Sequence, residues 1–314
     1  MKPRGLALLV VLLLPLALLP SLHFSARDYV LQVLTEMFVF MVLAQSYDIM
    51  GGTLGYINLG HIVFFGLGAY AFGIAFNHGV AMPACLAISL ASGMAFALLI
   101  SYPFFRLRGA YFALATFGLV KLMENVTNNL EPLTGGSSGL KILAANRTVP
   151  VYYTSLILVA GALAVAWLVS RSRLGLAMKS IREDEAVARD FGVPTGWVKV
   201  QALVLSAAFP AVLGGLFTWY INFINPAEVF GLRIALEPVA MAMLGGSGLV
   251  LGPALGAVVL YLAEQYVVVR FHSLQGTMLG GVILLVGLLM PGGLIRLRPL
   301  ETLLQWLGLH EEDA

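Results

Sequence analysis

Cysteine, charge and basic excess are all scarce in this chain, and each scarcity removes a class of function. Cys85 is the single cysteine of 314 residues, so no intrachain disulfide can staple the fold. Only 11% of the residues are charged, against roughly a quarter in a soluble domain. With 60% apolar residues and a mean hydropathy of +0.91, most of the chain is solvated by lipid. The net charge is +2 and the basic residues are scattered among loops, which excludes a nucleic-acid footprint. No second His or Cys stands at ligand spacing from His61, so neither a metal centre nor another cofactor is expected. The phosphate-binding pattern G-x-x-x-x-G-K-[ST] is missing, and "TGGSSGLK" lacks its spacing, so this chain is not expected to hydrolyse ATP itself. No Ser-His-Asp or His-x-x-x-His arrangement suggests an intramembrane enzyme.

What the chain has instead is long apolar runs. Windows bounded by Gly, Pro or charge lie near 5–22, 30–49, 55–77, 82–104, 110–128, 151–169, 200–221, 233–248, 252–269 and 276–292. Each approaches the roughly 20 residues that cross a bilayer as a helix. The expected fold is therefore an all-α polytopic membrane protein of about ten transmembrane helices, one domain over 1–314 with a cytoplasmic tail at 293–314. Phe24-Ser25-Ala26 is a poor signal-cleavage site, because a bulky residue holds the first small position, so the first run reads as a retained helix. Placing both termini in the cytoplasm puts twelve basic residues inside (Lys2, Arg4, Arg106, Arg108, Arg171, Arg173, Lys179, Arg182, Arg189, Lys199, Arg296, Arg298) and five outside. That asymmetry is the one insertion favours.

Residues 171–199 hold ten of the 34 charged side chains. This stretch, between the sixth and seventh runs, reads as a wet cytoplasmic loop. Within it, 176–191 predicts a short amphipathic helix, with Met178, Ile181, Val187, Ala188 and Phe191 spaced along one side. Gly192 and Pro194 stop it. Mixed charge beside a small apolar face suits docking into a partner's groove.

"SRLGLAMKSIREDEAVARDFGVP" resembles the coupling segment of branched-chain amino acid ABC importer permeases of the LivM type. The resemblance extends through "GGTLGYINLGHIVFFGLGAY", "RLRGAYFALATFGLVKLMENVTNNLEPLTGGSSGL" and "LEPVAMAMLGGSGLVLGPALGA", four ordered blocks between about 45 and 260. Two departures stand out: Ala110 follows Arg-Gly where relatives often carry an acid, and Pro is missing near Ser137. The resemblance implies a bacterial inner-membrane permease moving its solute inward by alternating access. Its implied partners are two cytoplasmic ATPase subunits, a second homologous permease and an external solute-binding protein. Arg182, Glu183, Asp184, Glu185, Arg189 and Gly192 are then the candidates for ATPase coupling.

For the solute's route, Tyr56, Asn58, Gly60 and His61 attract attention, because polar groups at membrane depth are costly unless paired or hydrated. Close helix packing is the plainer reading of the surrounding glycines. Thr134, Gly135 and Gly136 would offer backbone amides at the external mouth, and Glu124 and Glu237, with Glu36, Lys121 and Glu264, would rim the external vestibule, unless Lys121 and Glu124, three residues apart on one helix, simply pair. Urea, short amides or sugars would fit the same architecture, and an ion-coupled secondary transporter fits less well because few acids fall near midplane.

Overall fold

The structure, a computed structural model, describes residues 15–21, 26–142 and 148–270, with residues 280, 281, 293 and 294 beyond them. In lipid every backbone polar group must be paired within the protein, so the apolar windows fold as helices. They are α1 (Arg27–Asp48), α2 (Ile62–Asn77), α3 (Met82–Phe104), α4 (Ala110–Asn129), α5 (Thr148–Arg171), α8 (Thr195–Ile221), α9 (Leu232–Gly245) and α10 (Gly252–Arg270). Two short helices, α6 (Arg173–Glu183) and α7 (Glu185–Asp190), occupy the charged stretch. Eight of the ten expected spans thus carry helix. The first is described only over 15–21, and the tenth falls almost wholly outside the described residues. By length and composition, Arg27–Thr53, Met82–Phe104, Thr148–Arg171 and Thr195–Ile221 are able to cross a membrane.

Two expectations change. The third span does not begin at 55: α1 runs into a wide π-turn at Ile49–Thr53, residues 54–61 are irregular, and α2 starts at Ile62. The physical reason is the run Gly51, Gly52, Gly55, Asn58 and Gly60, which lowers helix propensity and offers turn chemistry. The charged helix over 176–191 is two helices, broken at Asp184. Asp184 is extended (φ −156°, ψ 112°) and its carboxylate accepts from the Ala186 and Val187 amides, so it caps α7 instead of continuing α6.

The bundle is built on the crossing of α2 and α8. A β-carbon on Gly68 would lie 1.9 Å from the Ala211 carbonyl oxygen, and one on Gly214 would lie 2.0 Å from that of Phe65. Small residues let the two backbones touch, and hydroxyls tie neighbouring helices together where lipid supplies no hydrophobic drive. Ser89 donates to the Gly68 carbonyl (2.9 Å), Thr218 to that of Ala69 (3.3 Å) and Ser206 to that of Ser46 (2.8 Å). Pro20 cannot donate to the Leu16 carbonyl, and the Tyr152 hydroxyl fills that vacancy at 2.7 Å, pinning 15–21 to the start of α5.

At the end of the bundle away from the charged stretch, β1 (Leu140–Lys141) pairs antiparallel with β2 (Phe223–Ile224), Leu140 opposite Ile224. This two-stranded clip joins the loop after α4 to the loop after α8.

Gly68→Val forces a side chain into the Ala211 backbone, so its cost should reach or exceed the ~1–3 kcal/mol usual for overpacking. Thermal unfolding of the purified protein in detergent should show a large drop in midpoint. Gly118→Ala, with nothing within 4 Å of the added atom, should leave it unchanged.

Candidate functional site

The charged stretch does not hang free beneath the bundle. It is fastened to the break between α1 and α2 at two points, and both fastenings reach other loops at the same end.

The first centres on Asp48, the last residue of α1 and only 3% exposed. Its two carboxylate oxygens both accept from the Gly248 amide at 3.0 Å, which brings in the α9–α10 connection. The approach is possible because residue 52 is glycine: a β-carbon there would sit 1.9 Å from Asp48 Oδ1 and 2.5 Å from the Gly248 nitrogen. The freed carbonyl of Gly52 accepts from Arg182 at the end of α6. Gly55 holds φ +82° directly under the Arg182 side chain, whose Cγ would lie 2.8 Å from a β-carbon there. A left-handed backbone and a close neighbour together exclude other residues at this position.

The second fastening centres on Glu185 at the start of α7. Its carboxylate accepts from Tyr56 Oη (2.5 Å), Lys199 Nζ (2.7 Å) and Arg189 Nη2 (3.1 Å), with Arg108 Nη2 at 4.0 Å. Lys199 is 3% exposed and also donates to Tyr56 Oη at 3.1 Å. Its ammonium lies 5.0 Å from the centre of the Tyr56 ring and 5.7 Å from that of Phe105. Tyr56 in turn packs edge-on against Phe105 and Phe112. Four segments meet here: the irregular 54–61 stretch, the α3–α4 connection, α7 and the first turn of α8. Burial pushes the Glu185 carboxyl up, but hydrogen bonds from Lys199 and Tyr56, with the charges of Lys199 and Arg108, outweigh it and hold the group below the usual carboxylate range.

The expected route residues are placed differently from one another. Tyr56 belongs to the Glu185 cluster. Asn58 is buried and its Oδ1 accepts from the Gly60 amide (3.0 Å), closing the turn that starts α2. Gly60 lets that turn press on the Thr116 backbone of α4, and the Leu59 amide donates to Thr116 Oγ1. His61 is fully buried, edge-on to the Tyr47 ring at 5.6 Å, with no hydrogen bond to either ring nitrogen among the described residues.

At the other end, the amides expected to line a mouth are occupied. Gly135 donates to Glu131, Gly136 to the Thr134 hydroxyl and Gly139 to Gly136, while Thr134 itself donates to Thr127. The loop is a self-satisfied knot, because αL glycines turn its amides inward. Glu124 pairs with Lys121 at 2.6 Å on its own helix. Glu237 is 1% exposed and held by Arg233, one turn earlier in α9, so it lies inside the protein and not on an open rim.

Among the coupling candidates, Glu185 is turned into the protein, Arg182 is exposed but bonded to the Gly52 carbonyl, and Asp184 serves as a cap. Arg189 braces Glu185, and Gly192 (φ +84°) ends α7. Glu183 is exposed, as are Val187 (49%), Phe191 (85%) and Trp197 (62%). The partners Lys199, Arg108, Asp48 and Gly248 were not foreseen. Lys199 and Asp48 carry a signal, each as a charge placed at the end of an apolar run.

Because Glu185 titrates lower in the folded protein than when unfolded, it adds stability that is complete above the ordinary value of 4.5 and lost as pH falls through its folded value. Thermal midpoints measured over falling pH should show this acid limb in the native protein and a flatter one in Glu185→Gln. Lys199→Met removes a buried partner and should cost roughly 3–5 kcal/mol. Adding Glu185→Gln should recover part of that loss, since the uncompensated charge then disappears.

The chain matches the family described as the branched-chain amino acid transport system permease component over residues 29–287. It is 28% identical to the high-affinity branched-chain amino acid transport system permease protein LivM of Escherichia coli (strain K12), over 92% of this chain and 74% of that protein. It is 27% identical to LivM of Salmonella typhimurium (84% and 69% covered). It is also 27% identical to the autoinducer 2 import system permease protein LsrC of Salmonella choleraesuis (73% and 68% covered). No solved structure matches. A mostly helical bundle with membrane-length apolar helices, matched over most of its length by one permease family, belongs to that family: the chain is a member of the branched-chain amino acid transport system permease components.

Proposed function

We propose that this chain is the membrane-spanning permease subunit of an ATP-driven importer of branched-chain amino acids in the bacterial inner membrane. It spans ten times with both termini in the cytoplasm and pairs with a second permease. Two partner ATPases drive it from inside and a binding protein delivers solute from outside. The observation that carries this reading is the junction at the charged end, where one short segment is fastened to three other connections and presents Val187, Phe191 and Trp197 outward. A partner gripping that face moves α1, α2, α8 and the α9–α10 connection as one unit.

The division of labour refines the expected roles. Contact with the ATPase falls to the exposed apolar side chains and Glu183, with Arg182, Glu185 and Arg189 holding the segment in place. Nucleotide biases inward and outward states only through contacts that differ between them, so both the outward face and the inward fastening are needed. The amino-acid reading rests on the two LivM relatives. The LsrC relative, at nearly the same identity, favours a second reading in which the solute is of the autoinducer 2 kind.

Phe191→Asp should cut retention of the ATPase subunits in a mild-detergent purification at least tenfold and leave the thermal midpoint of the permease unchanged, because Phe191 is 85% exposed. Glu185→Arg should lower both. Full retention of the ATPases by Phe191→Asp would refute the docking role. Uptake of leucine against autoinducer 2 by the reconstituted complex decides between the two solutes.

A further inference from the structure

Far from the charged junction, α9 and α10 set two buried acids against one arginine among the described residues. Arg233 donates through Nε to Glu237 and lies 3.6 Å, through Nη2, from Glu264 on α10. The side chain of Glu237 is 1% exposed and that of Glu264 10%, whereas Arg233 is 53% exposed. Among the described residues, one oxygen of each carboxylate, Glu237 Oε2 and Glu264 Oε1, is buried with no hydrogen-bond partner. Nearby, the Tyr261 hydroxyl donates to Glu36 on α1 (2.9 Å), so that acid is already engaged.

Two carboxylates beneath one guanidinium leave a negative charge, and a buried carboxylate oxygen without a donor is costly enough to demand a cation or a proton. Packing alone does not call for it, since a glutamine at either position would fill the same volume. Among the described residues no three His, Cys, Asp or Glu side chains are grouped to hold a metal ion. The layering is informative: the cation is outermost and the acids lie under it. An α-amino acid presents the complementary pair, a carboxylate for the guanidinium and an ammonium with three donors for carboxylate oxygens.

We propose that Arg233, Glu237 and Glu264 form a zwitterion-binding station in which the guanidinium takes the carboxylate of an incoming amino acid and the two free glutamate oxygens take its ammonium. The inference rests on the importer reading above and adds to it the part of the solute this chain recognises. Arg233 occupies the station in the empty state, and the incoming ammonium replaces its contact with the acids. On the proposed topology the station is at the external ends of α9 and α10, where solute is released by the binding protein. The apolar tail of the solute stays unread here, so discrimination among side chains belongs elsewhere.

The test uses the whole complex, with its second permease, ATPases and binding protein, in proteoliposomes supplied with radiolabelled leucine. Glu237→Gln/Glu264→Gln preserves volume and removes the charge, and leucine moved per ATP hydrolysed should fall at least tenfold. Glu237→Asp, which keeps the carboxylate, should recover a substantial part of that ratio. If the ratio in the double variant equals that of the native complex, or if uptake and ATP hydrolysis fall together with no recovery by Glu237→Asp, the station is overturned and the importer reading stands. If the native complex carries a solute without an ammonium group and no leucine, the amino-acid reading falls and the station with it.

Discussion

Asp48 is the constraint on which the charged end is organised. A carboxylate enclosed at the end of an apolar helix has to find donors, and the ones it finds are 200 residues away in the chain, at the Gly248 amide. Meeting them forces two further choices. Residue 52 must be glycine for the carboxylate and the 248 backbone to fit, and the helix must open there, which leaves the Gly52 carbonyl for Arg182. The π-turn at Ile49–Thr53 is therefore the consequence of pairing a buried acid, and π-turns of this kind tend to mark functional sites.

The same economy of charge explains why the charged stretch looks polar in sequence and partly apolar from outside. Several of its charges are engaged by the protein itself: Arg182 on the Gly52 carbonyl, Glu185 on Lys199 and Tyr56, Asp184 on the amides that open α7. The side chains left outward include Val187 and Phe191. Charged side chains fix the position of the segment with directional bonds, and apolar ones give a partner area to bury. A segment held this firmly transmits displacement where a tethered loop would absorb it.

Much of this was readable from residue spacing alone. Seven apolar windows became helices within about five residues of their expected bounds, because a lipid-solvated backbone has few alternatives, and the third starts seven residues late at Ile62. The stop at Gly192 was equally plain. The break at Asp184 was harder: an aspartate inside a periodic run reads as a helix surface residue until its neighbours' amides are seen to need it. Asn58 is marked by polarity at depth and Tyr56 as one of the aromatics beside it, but whether such groups meet solute or protein depends on partners more than a hundred residues away for Tyr56 and two residues away for Asn58. Asp48–Gly248 and Arg233–Glu264 are tertiary pairings that no local period encodes.

The two ends of the molecule are joined by α9 itself. Glu237 lies in its second turn and Gly248 just beyond its last, and α9 spans 14 residues, about 21 Å of helix at 1.5 Å per residue. Packed helices move as rigid bodies, by sliding or hinging, more readily than they deform. A pull on α6 that shifts Arg182 and the Asp48–Gly248 contact therefore displaces the base of both α9 and α10. Arg233 and Glu237 ride on the first of these helices and Glu264 on the second, so any change in their relative tilt alters the Arg233–Glu264 separation directly. The acid cluster is thus placed where a small motion at the charged junction changes how well the two carboxylates are compensated.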